Sequence, residues 1–271
     1  MKVCILTIGN ELLIGETQDT NSYWLCRQLA SLGAEVLRVV LLPDIASEIA
    51  SEILAARQRG SELLITTGGL GPTDDDLTLQ AIAAALSLPC ELNQQAAEMI
   101  ENRQKDLLAA GLIDDTDMTP ERLKMAKLPQ GSLPLSNTVG VAPGVLLELS
   151  GFRLIALPGV PAEMQAIFSS LLPLLESWIP NGGFEVVDLW VGCPDESVLA
   201  PMLRQLAAEY PEVYAKSKAR GYSSERKFNI KLHARGKPSV TRPLLASATD
   251  RLVELLTERG ITLLSRTGFQ Y

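Results

Sequence analysis

Along the first 175 or so residues, the pattern of apolar and polar positions predicts strands and helices in alternating order. Three short apolar runs are typical of buried strands: 3–8, 35–42 and 63–67. Segments with apolar residues at helical spacing follow each of them: 21–32, 45–59 and 77–86. This order predicts a parallel sheet covered by helices on both faces, with ligands bound at the carboxyl ends of the strands.

The rest of the chain completes this first domain and then forms a second one. Residues 91–128 look helical and polar, a hairpin is expected over 145–157, and a helix begins near Ala162. A turn-rich break at 179–183 precedes a second pattern of strands and helices, listed in order: strand 185–191, helix 195–209, strand 227–234 and helix 242–260. We therefore predict an α/β domain over 1–180 and a small α+β domain over 181–271.

The amino-acid composition limits the kinds of catalytic and metal site that the chain can form. The 271 residues carry a net charge of −8 and one histidine, His233, so a histidine base or a multi-histidine metal site is nearly excluded. The four cysteines form no CxxC pair, which favours reduced thiols and a cytoplasmic location. No segment predicts a signal peptide or a membrane span. Carboxylates, a metal ion and backbone amides remain as the groups available for catalysis.

The segment TTGGLGPTDDDLT, residues 66–78, carries most of the functional information. Glycines let a backbone approach a ligand closely, and a helix start offers N–H groups to a phosphate. Three consecutive aspartates would repel a phosphate, so this loop favours a divalent cation between the two. The alternative is that Asp74, Asp75 and Asp76 cap the following helix.

Four motifs in this order resemble the N-terminal domain of the CinA-type competence/damage-inducible proteins: TIGNELLIGETQDTN (7–21), TTGGLGPTDDDLT (66–78), NTVGVAPG (137–144) and LPGVPAEM (157–164). That domain is similar to the molybdopterin-binding fold of molybdenum-cofactor biosynthesis proteins. The resemblance implies a three-layer domain with a parallel or mixed sheet, followed by a KH-like domain. It also implies a cytoplasmic homodimer.

In some members of that family the first domain hydrolyses ADP-ribose to AMP and ribose 5-phosphate with a divalent metal (Mg, Co or Ni) and potassium. The chain departs from the pattern in three places. It has no match to the C-terminal deamidase domain of the longer members, so no deamidase activity is carried over. Val141 stands where threonine is usual, and Pro43 with Asp44 and Ile45 stands where Gly-Asp-Asp is common.

The hypothesis for the site places Asp75 and Asp76 on the metal. Asp76, Asp44 and Glu11 are the candidate catalytic residues. Asp44 follows the second strand and is as consistent with a helix cap as with orienting a water molecule. Glu11 follows the first strand and is a candidate base or metal ligand, with a surface salt bridge as the alternative.

The candidate ligand-binding residues lie in four loops and are listed along the chain: Asn10, Asn21, Gly68, Gly69, Gly71, Thr73, Asn137 and Gly159. The glycine amides and the Thr73 hydroxyl would hold a pyrophosphate. Asn21 is also a candidate cap of the first helix, as is Asp19, and Asn137 a candidate anchor of its own loop.

These features favour metal-dependent hydrolysis of a nucleoside diphosphate linkage, with ADP-ribose as the best single candidate. The first alternative is a non-catalytic binder of molybdopterin or a nucleotide, and an adenylyltransferase acting on molybdopterin is another. The basic stretch 216–237 raises nucleic-acid binding, but the unit contains no Gly-x-x-Gly loop and the chain is acidic. A small molecule is the expected partner, and neither nucleic acid nor a membrane is.

Overall fold

The computed structural model describes residues 1–179, 183–219 and 227–268. It divides the chain into two compact units, Met1–Leu29 with Ala34–Trp178, and Ala30–Gly33 with Ile179–Tyr271. The predicted domain boundary at 180/181 lies outside the described residues, as do Arg220, Tyr222 and Arg226 of the basic stretch.

The strands of the first unit are β1 Lys2–Ile8, β2 Glu35–Leu42, β3 Leu63–Thr67, β4 Cys90–Leu92, β5 Lys127–Pro129, β6 Leu133–Leu135, β7 Gly144–Leu149 and β8 Phe152–Leu157. Its helices are α1 Asn10–Leu13, α2 Asn21–Ser31, α3 Ala46–Gln58, α4 Thr78–Ala85, α5 Gln94–Ala109, α6 Pro120–Lys124, α7 Pro161–Ser170 and α8 Leu172–Trp178. Six strands form one mixed sheet in the order β2-β1-β3-β8-β7-β6, in which the first four are parallel.

Both faces of this sheet are buried, as its sequence pattern predicts. Strand β1 is apolar at nearly every position, so Cys4 and Leu6 pack with α3 and α4 while Val3 and Ile5 are fully buried on the opposite face. On that opposite face the Trp24 ring of α2 meets Phe168 of α7 edge-on at 5.3 Å. Because β1, β2, β3 and β8 are parallel, their carboxyl ends lie at the same edge of the sheet, and the loops that follow them begin there.

The prediction of a helical segment over 91–128 is wrong in part. The structure has helices α5 and α6 there, but β4 and β5 frame them as a two-stranded antiparallel sheet. Strand β5, Lys127–Pro129, has only three residues, which is too few to show a strand period. Strand β6 is equally short and was missed for the same reason.

The second unit contains a four-stranded antiparallel sheet in the order β10-β11-β9-β12. Its strands are β9 Phe184–Gly192, β10 Tyr214–Ala219, β11 Lys227–Arg235 and β12 Thr262–Arg266, and its helices are α9 Ala200–Glu209 and α10 Pro238–Glu258. A short 3₁₀ turn, Glu196–Val198, stands where the sequence predicted the start of α9. Strands β10 and β12 were not predicted, because few apolar side chains alternate along them.

The core of the second unit forms between one face of its sheet and the two helices. Ile230 and Leu232 of β11 and Leu252 of α10 are fully buried in it. No helix in the described ranges is long and apolar enough to cross a membrane.

Candidate functional site

A cleft of about 760 Å³ opens at the carboxyl ends of β1, β2, β3 and β8. This volume is typical of sites for small molecules. Five of the lining groups are carboxylates, those of Glu11, Asp44, Asp75, Asp76 and Glu163. The structure therefore brings together the three candidate catalytic residues and the candidate metal ligands.

The glycine loop after β3 approaches its neighbours too closely for any side chain. Gly68 has a φ of +99°, and a Cβ there would lie 2.1 Å from the Ile8 carbonyl oxygen. Gly69 has a φ of +68°, and a Cβ would lie 2.2 Å from the Thr78 hydroxyl. That hydroxyl donates a 2.8 Å hydrogen bond to the Gly68 carbonyl. The start of α4 thus holds the loop in place from behind.

The aspartates of this loop do not cap α4. The residue preceding the helix is Leu77, and α4 has no acidic residue in its first turn. The Asp76 carboxylate instead accepts from the Thr73 N–H at 2.9 Å and from the Thr73 hydroxyl at 2.6 Å. The Asp75 carboxylate lies 2.5 Å from the same hydroxyl, whose single hydrogen the two carboxylates share, and this contact lowers the pKa of Asp75. Both carboxylates are therefore oriented by the loop itself.

Asp44 is likewise not a helix cap. The residue preceding α3 is Ile45, and the Asp44 carboxylate accepts a 2.9 Å hydrogen bond from the Asn10 N–H. Burial raises the pKa of Asp44, and the negative charges of Glu11, Asp75 and Asp76 raise it further. Asp44 therefore ionises less readily than an isolated aspartate.

Glu11 lies against the backbone of its own turn. A Cβ at residue 9 would be 2.3 Å from the Glu11 Oε1 atom, so Gly9 leaves the space that this carboxylate occupies. Asn10 is exposed and orients Asp44 rather than lining the cleft. Of these two neighbours, Glu11 is the one whose side chain reaches the ligand volume.

Two predicted ligand-binding residues have structural partners instead of facing the cleft. The buried Asn21 amide donates a 2.7 Å hydrogen bond to the Gly159 carbonyl. The cap of α2 is Asp19, which accepts from the Ser22 N–H at 3.0 Å. Asn137 accepts from the Gly140 N–H at 2.8 Å and donates to the Ala142 carbonyl at 2.8 Å, so it fixes its own loop.

Glu163 is a cleft residue that was not among the site residues predicted from the sequence. Its carboxylate accepts a 2.6 Å hydrogen bond from the Asn137 amide. It also lies so close to Gly140 that a Cβ there would be 2.1 Å from its Oε2 atom. Gly159, by contrast, lines the cleft as expected.

The segment between β4 and β5, residues 93–126, forms one wall of the cleft, and we call it the excursion. It supplies basic residues that the sequence analysis did not single out. Arg122 lines the cleft and donates to the Asp115 carboxylate at 2.6 Å. With its amide oxygen toward Arg122, the buried Gln104 accepts from the Arg122 Nε at 2.9 Å. The Lys124 ammonium donates to the Thr73 carbonyl. The sequence could indicate only that an inserted segment lies here; it gave no motif that would single out these individual residues.

The first unit matches the family model described as "Probable molybdopterin binding domain" over residues 4–177. The chain belongs to this molybdopterin-binding family. A protein of Pyrobaculum arsenaticum is 40% identical over 259 residues, 94% of this chain and 94% of that protein. A protein of Aeropyrum pernix is 45% identical over 218 residues, 80% of this chain and 78% of that protein.

Among solved structures, the protein CinA of Thermoplasma acidophilum, described as of unknown function, is 33% identical with a TM-score of 0.59. The match covers 65% of this chain and 99% of that chain. The first unit is thus a CinA-like molybdopterin-binding domain with a mixed sheet, which confirms the resemblance for that unit. The KH-like character of the second unit stays a prediction.

Proposed function

We propose that the molybdopterin-binding domain hydrolyses the phosphoanhydride bond of a nucleoside diphosphate, with ADP-ribose as the leading substrate and AMP and ribose 5-phosphate as products. The observation that carries this proposal is Asp44, whose pKa is raised where the cleft concentrates carboxylates beside a glycine loop. A carboxylate with a raised pKa, directed into a cleft of this size, is typical of a catalytic base.

Asp44 would take the proton of the attacking water. In this step the water oxygen forms a bond to phosphorus, the bridging P–O bond breaks, the proton passes to Asp44, and the leaving phosphate departs with the bridging electrons. The Asn10 N–H keeps the Asp44 carboxylate oriented through this step. The raised pKa of Asp44 makes it a stronger base than an ordinary aspartate.

The loop from Gly68 to Thr73 would hold the diphosphate. Gly68, Gly69, Gly71 and Thr73 all line the cleft, so the backbone amides of Gly69 and Gly71 are the candidate donors to phosphate oxygens. Arg122 also lines the cleft, with its guanidinium paired to the Asp115 carboxylate. Val141 offers no hydroxyl there, so it contributes apolar contact only.

The donor chemistry of Asp75 and Asp76 fits a hard divalent cation, since both offer carboxylate oxygens at the phosphate loop. The described residues contain no group of three His, Cys, Asp or Glu able to hold a metal by themselves. The fit is therefore to an ion shared with the ligand phosphates, as Mg²⁺ is commonly bound. When bound, such an ion neutralises phosphate charge and polarises the phosphorus centre.

A ring system would occupy the apolar wall of the cleft. Leu107, Ile113 and Met125 of the excursion, together with Val141, line this side. A planar purine or pterin buries its faces against such side chains. This wall is equally suited to a nucleotide base and to a molybdopterin ring.

That equivalence supports a second candidate function, non-catalytic binding of molybdopterin or a nucleotide. The specific observation in its favour is that Thr73 already holds both carboxylates, Asp76 through its N–H, and Asp75 and Asp76 through one shared hydroxyl hydrogen. Bound in that way, the two carboxylates can serve as a rigid rim for a ligand without taking part in turnover.

Turnover separates the two candidates. The purified full chain would be incubated with ADP-ribose, K⁺ and Mg²⁺, Co²⁺ or Ni²⁺, and AMP measured by chromatography. Hydrolysis predicts metal-dependent AMP that Asp44→Asn and Asp76→Asn abolish. The matched control is Asp74→Asn, because Asp74 is exposed and is not among the described residues lining the cleft. Ligand-dependent thermal stabilisation without AMP would favour the binding protein.

A further inference from the structure

The four-stranded sheet of the second unit has two unlike faces. Val187 and Leu189 of β9 and Ile230 of β11 lie on the face against which α9 and α10 pack. The alternate positions of β9, β10 and β11 share the opposite face, because side chains alternate along a strand. We call this opposite surface the basic face, and its described basic residues are Lys216, Lys218, Lys227, Lys231 and Arg235.

Positive charge is concentrated on the basic face. Among the described residues of β9, β10 and β11 that share it, the one carboxylate is that of Asp188, whose Oδ1 atom lies 3.4 Å from the Lys231 ammonium. Lys216 and Lys218 are exposed on β10, which is an edge strand of the sheet. The whole chain carries a net charge of −8, so a polyanion is attracted to this face and repelled by the protein elsewhere.

Aromatic rings form a row across the same face. The His233 ring lies between those of Phe184 and Tyr214, with centroids 4.8 and 4.7 Å away. The Tyr214 and His233 rings are stacked, with 24° between their planes. The row ends at Tyr214 on the edge strand, where this residue is 55% exposed. A further planar group can therefore extend the row beyond Tyr214.

The register of the strands places this row beside the lysines. Tyr214 pairs with His233, and two positions further along β10 Lys216 pairs with Lys231. Lys218 follows after two more positions, so successive lysines of β10 stand about 7 Å apart on one face. A stacking end and a line of positive charges thus lie side by side along β10.

We propose that the basic face binds single-stranded nucleic acid, with one base stacked on Tyr214 and phosphates of the same strand paired with Lys216 and Lys218. Aromatic rings and a basic track are the two elements that bind single strands with little preference for sequence. A duplex keeps its base faces stacked inside, so it can use the lysines but not the ring row. An acidic protein likewise offers no planar partner to Tyr214.

This mode does not need a Gly-x-x-Gly loop. A four-stranded sheet whose aromatic side chains stack on bases is a common platform for single strands, and it acts through its face. The absence of that loop from the sequence of the unit therefore does not exclude binding at the basic face.

Binding would be measured on the full chain by the fluorescence anisotropy of a fluorescein-labelled oligo-dT strand of about 20 nucleotides. We expect saturable binding at about 50 mM KCl that weakens steeply toward about 200 mM. An unlabelled duplex of the same length should compete less well than the unlabelled single strand. The assay contains neither ADP-ribose nor a divalent metal, so its outcome is independent of the proposed hydrolase.

Two variants separate the lysines from the ring. Lys216→Gln with Lys218→Gln should weaken binding about tenfold or more and reduce the slope of log affinity against log salt by about 1.4, since each phosphate contact contributes about 0.7. Tyr214→Ala should weaken binding about tenfold with the salt slope unchanged, and Tyr214→Phe, which keeps the ring, should bind as the wild type does.

The matched control is Lys105→Gln with Lys127→Gln, which removes the same charge from two exposed lysines of the first unit. It should keep the affinity within about twofold of wild type. No anisotropy change at about 50 mM KCl, or equal weakening by the control pair and the Lys216 and Lys218 pair, would overturn the proposal. So would binding that Tyr214→Ala leaves unchanged and that polyglutamate displaces as well as oligo-dT, a result that would indicate an acidic protein partner instead.

Discussion

The Asn10 N–H donates a 2.9 Å hydrogen bond to the Asp44 carboxylate, and the Asp44 N–H returns a 3.4 Å bond to the Asn10 side-chain oxygen. This exchange joins the turns that follow β1 and β2, immediately beyond the paired residues Ile8 and Leu42. It holds a charged group at a place where burial and neighbouring carboxylates oppose its ionisation. Ionisation of Asp44 therefore opposes folding, a cost that functional sites often carry.

Asp44→Asn should separate stability from activity. The asparagine oxygen can still accept from the Asn10 N–H, while the repulsion with Glu11, Asp75 and Asp76 is removed. We expect an unchanged or higher melting temperature at pH 7 together with loss of AMP formation. Thermal unfolding and the chromatographic assay measure the two effects. A variant that is both less stable and fully active would contradict this role for Asp44.

The pH dependence of that stability difference has a definite sign. Because the folded state raises the pKa of Asp44, the proton on Asp44 favours folding. This contribution is complete below the unfolded pKa of about 3.9 and is lost as pH rises through the raised folded pKa. The advantage of Asp44→Asn over the wild type should therefore be largest at neutral pH and shrink toward pH 4. A difference that grows in acid would refute the assignment.

Gly68→Ala should be more damaging than an ordinary glycine replacement at positive φ. At Gly68 the new Cβ would meet the Ile8 carbonyl oxygen at 2.1 Å, whereas at Gly111, with a φ of +69°, it would meet nothing within 4 Å. Gly111→Ala carries only the backbone strain, about 1–2 kcal/mol. Gly68→Ala should lose about 2 kcal/mol beyond that, since β1 or the loop must shift. Urea unfolding of the two variants makes the comparison, and equal losses would count against the close approach.

Asn137→Asp should loosen the loop that carries Val141. It removes the donor to the Ala142 carbonyl and places a negative charge against Glu163. We expect a loss of about 2–4 kcal/mol and weaker ligand binding, measured by urea unfolding and calorimetry. Ser136→Ala, an exposed change in the same loop, is the control and should stay within about 0.5 kcal/mol of wild type. Matching behaviour of the two variants would refute the anchoring role of Asn137.

The second unit should lose stability in mild acid through His233. Burial lowers the pKa of His233, and the charges of Arg235 and Lys231 lower it further. For a base, a lowered folded pKa gives stability that is present above the unfolded pKa, about 6.5, and lost as pH falls below it. His233→Phe keeps a ring for the stack on Tyr214, whose centroid lies 4.7 Å away. That variant should show a smaller fall in melting temperature between pH 7.5 and 5.5. An unchanged fall would exclude His233 as its source.

Much of the first unit could be predicted because its strands are buried on both faces. Strand β3, Leu63–Thr67, and the hairpin Gly144–Leu149 with Phe152–Leu157 match their predictions within one residue. The glycine loop was also recognisable, since close backbone approach leaves a residue-type signature. Strands β5 and β10 had no comparable signal, because one has three residues and the other, YAKSKA, alternates lysine with small residues.

The partners of individual site residues could not be predicted. Asp44 and Asn21 both stand where helix caps are common, and their side chains bond instead to Asn10 and Gly159 across 34 and 138 residues of sequence. Such contacts depend on which strands become neighbours, and that is decided by the packing of the whole sheet. The same holds for Arg122 and Gln104, which reach the cleft from the excursion between β4 and β5.

The most direct test of the central claim is AMP production from ADP-ribose by wild type, Asp44→Asn and Asp74→Asn under the same metal and potassium conditions. The account predicts metal-dependent AMP from the wild type and Asp74→Asn, and none from Asp44→Asn. No AMP from the wild type with any of the metals, or undiminished AMP from Asp44→Asn, would contradict it.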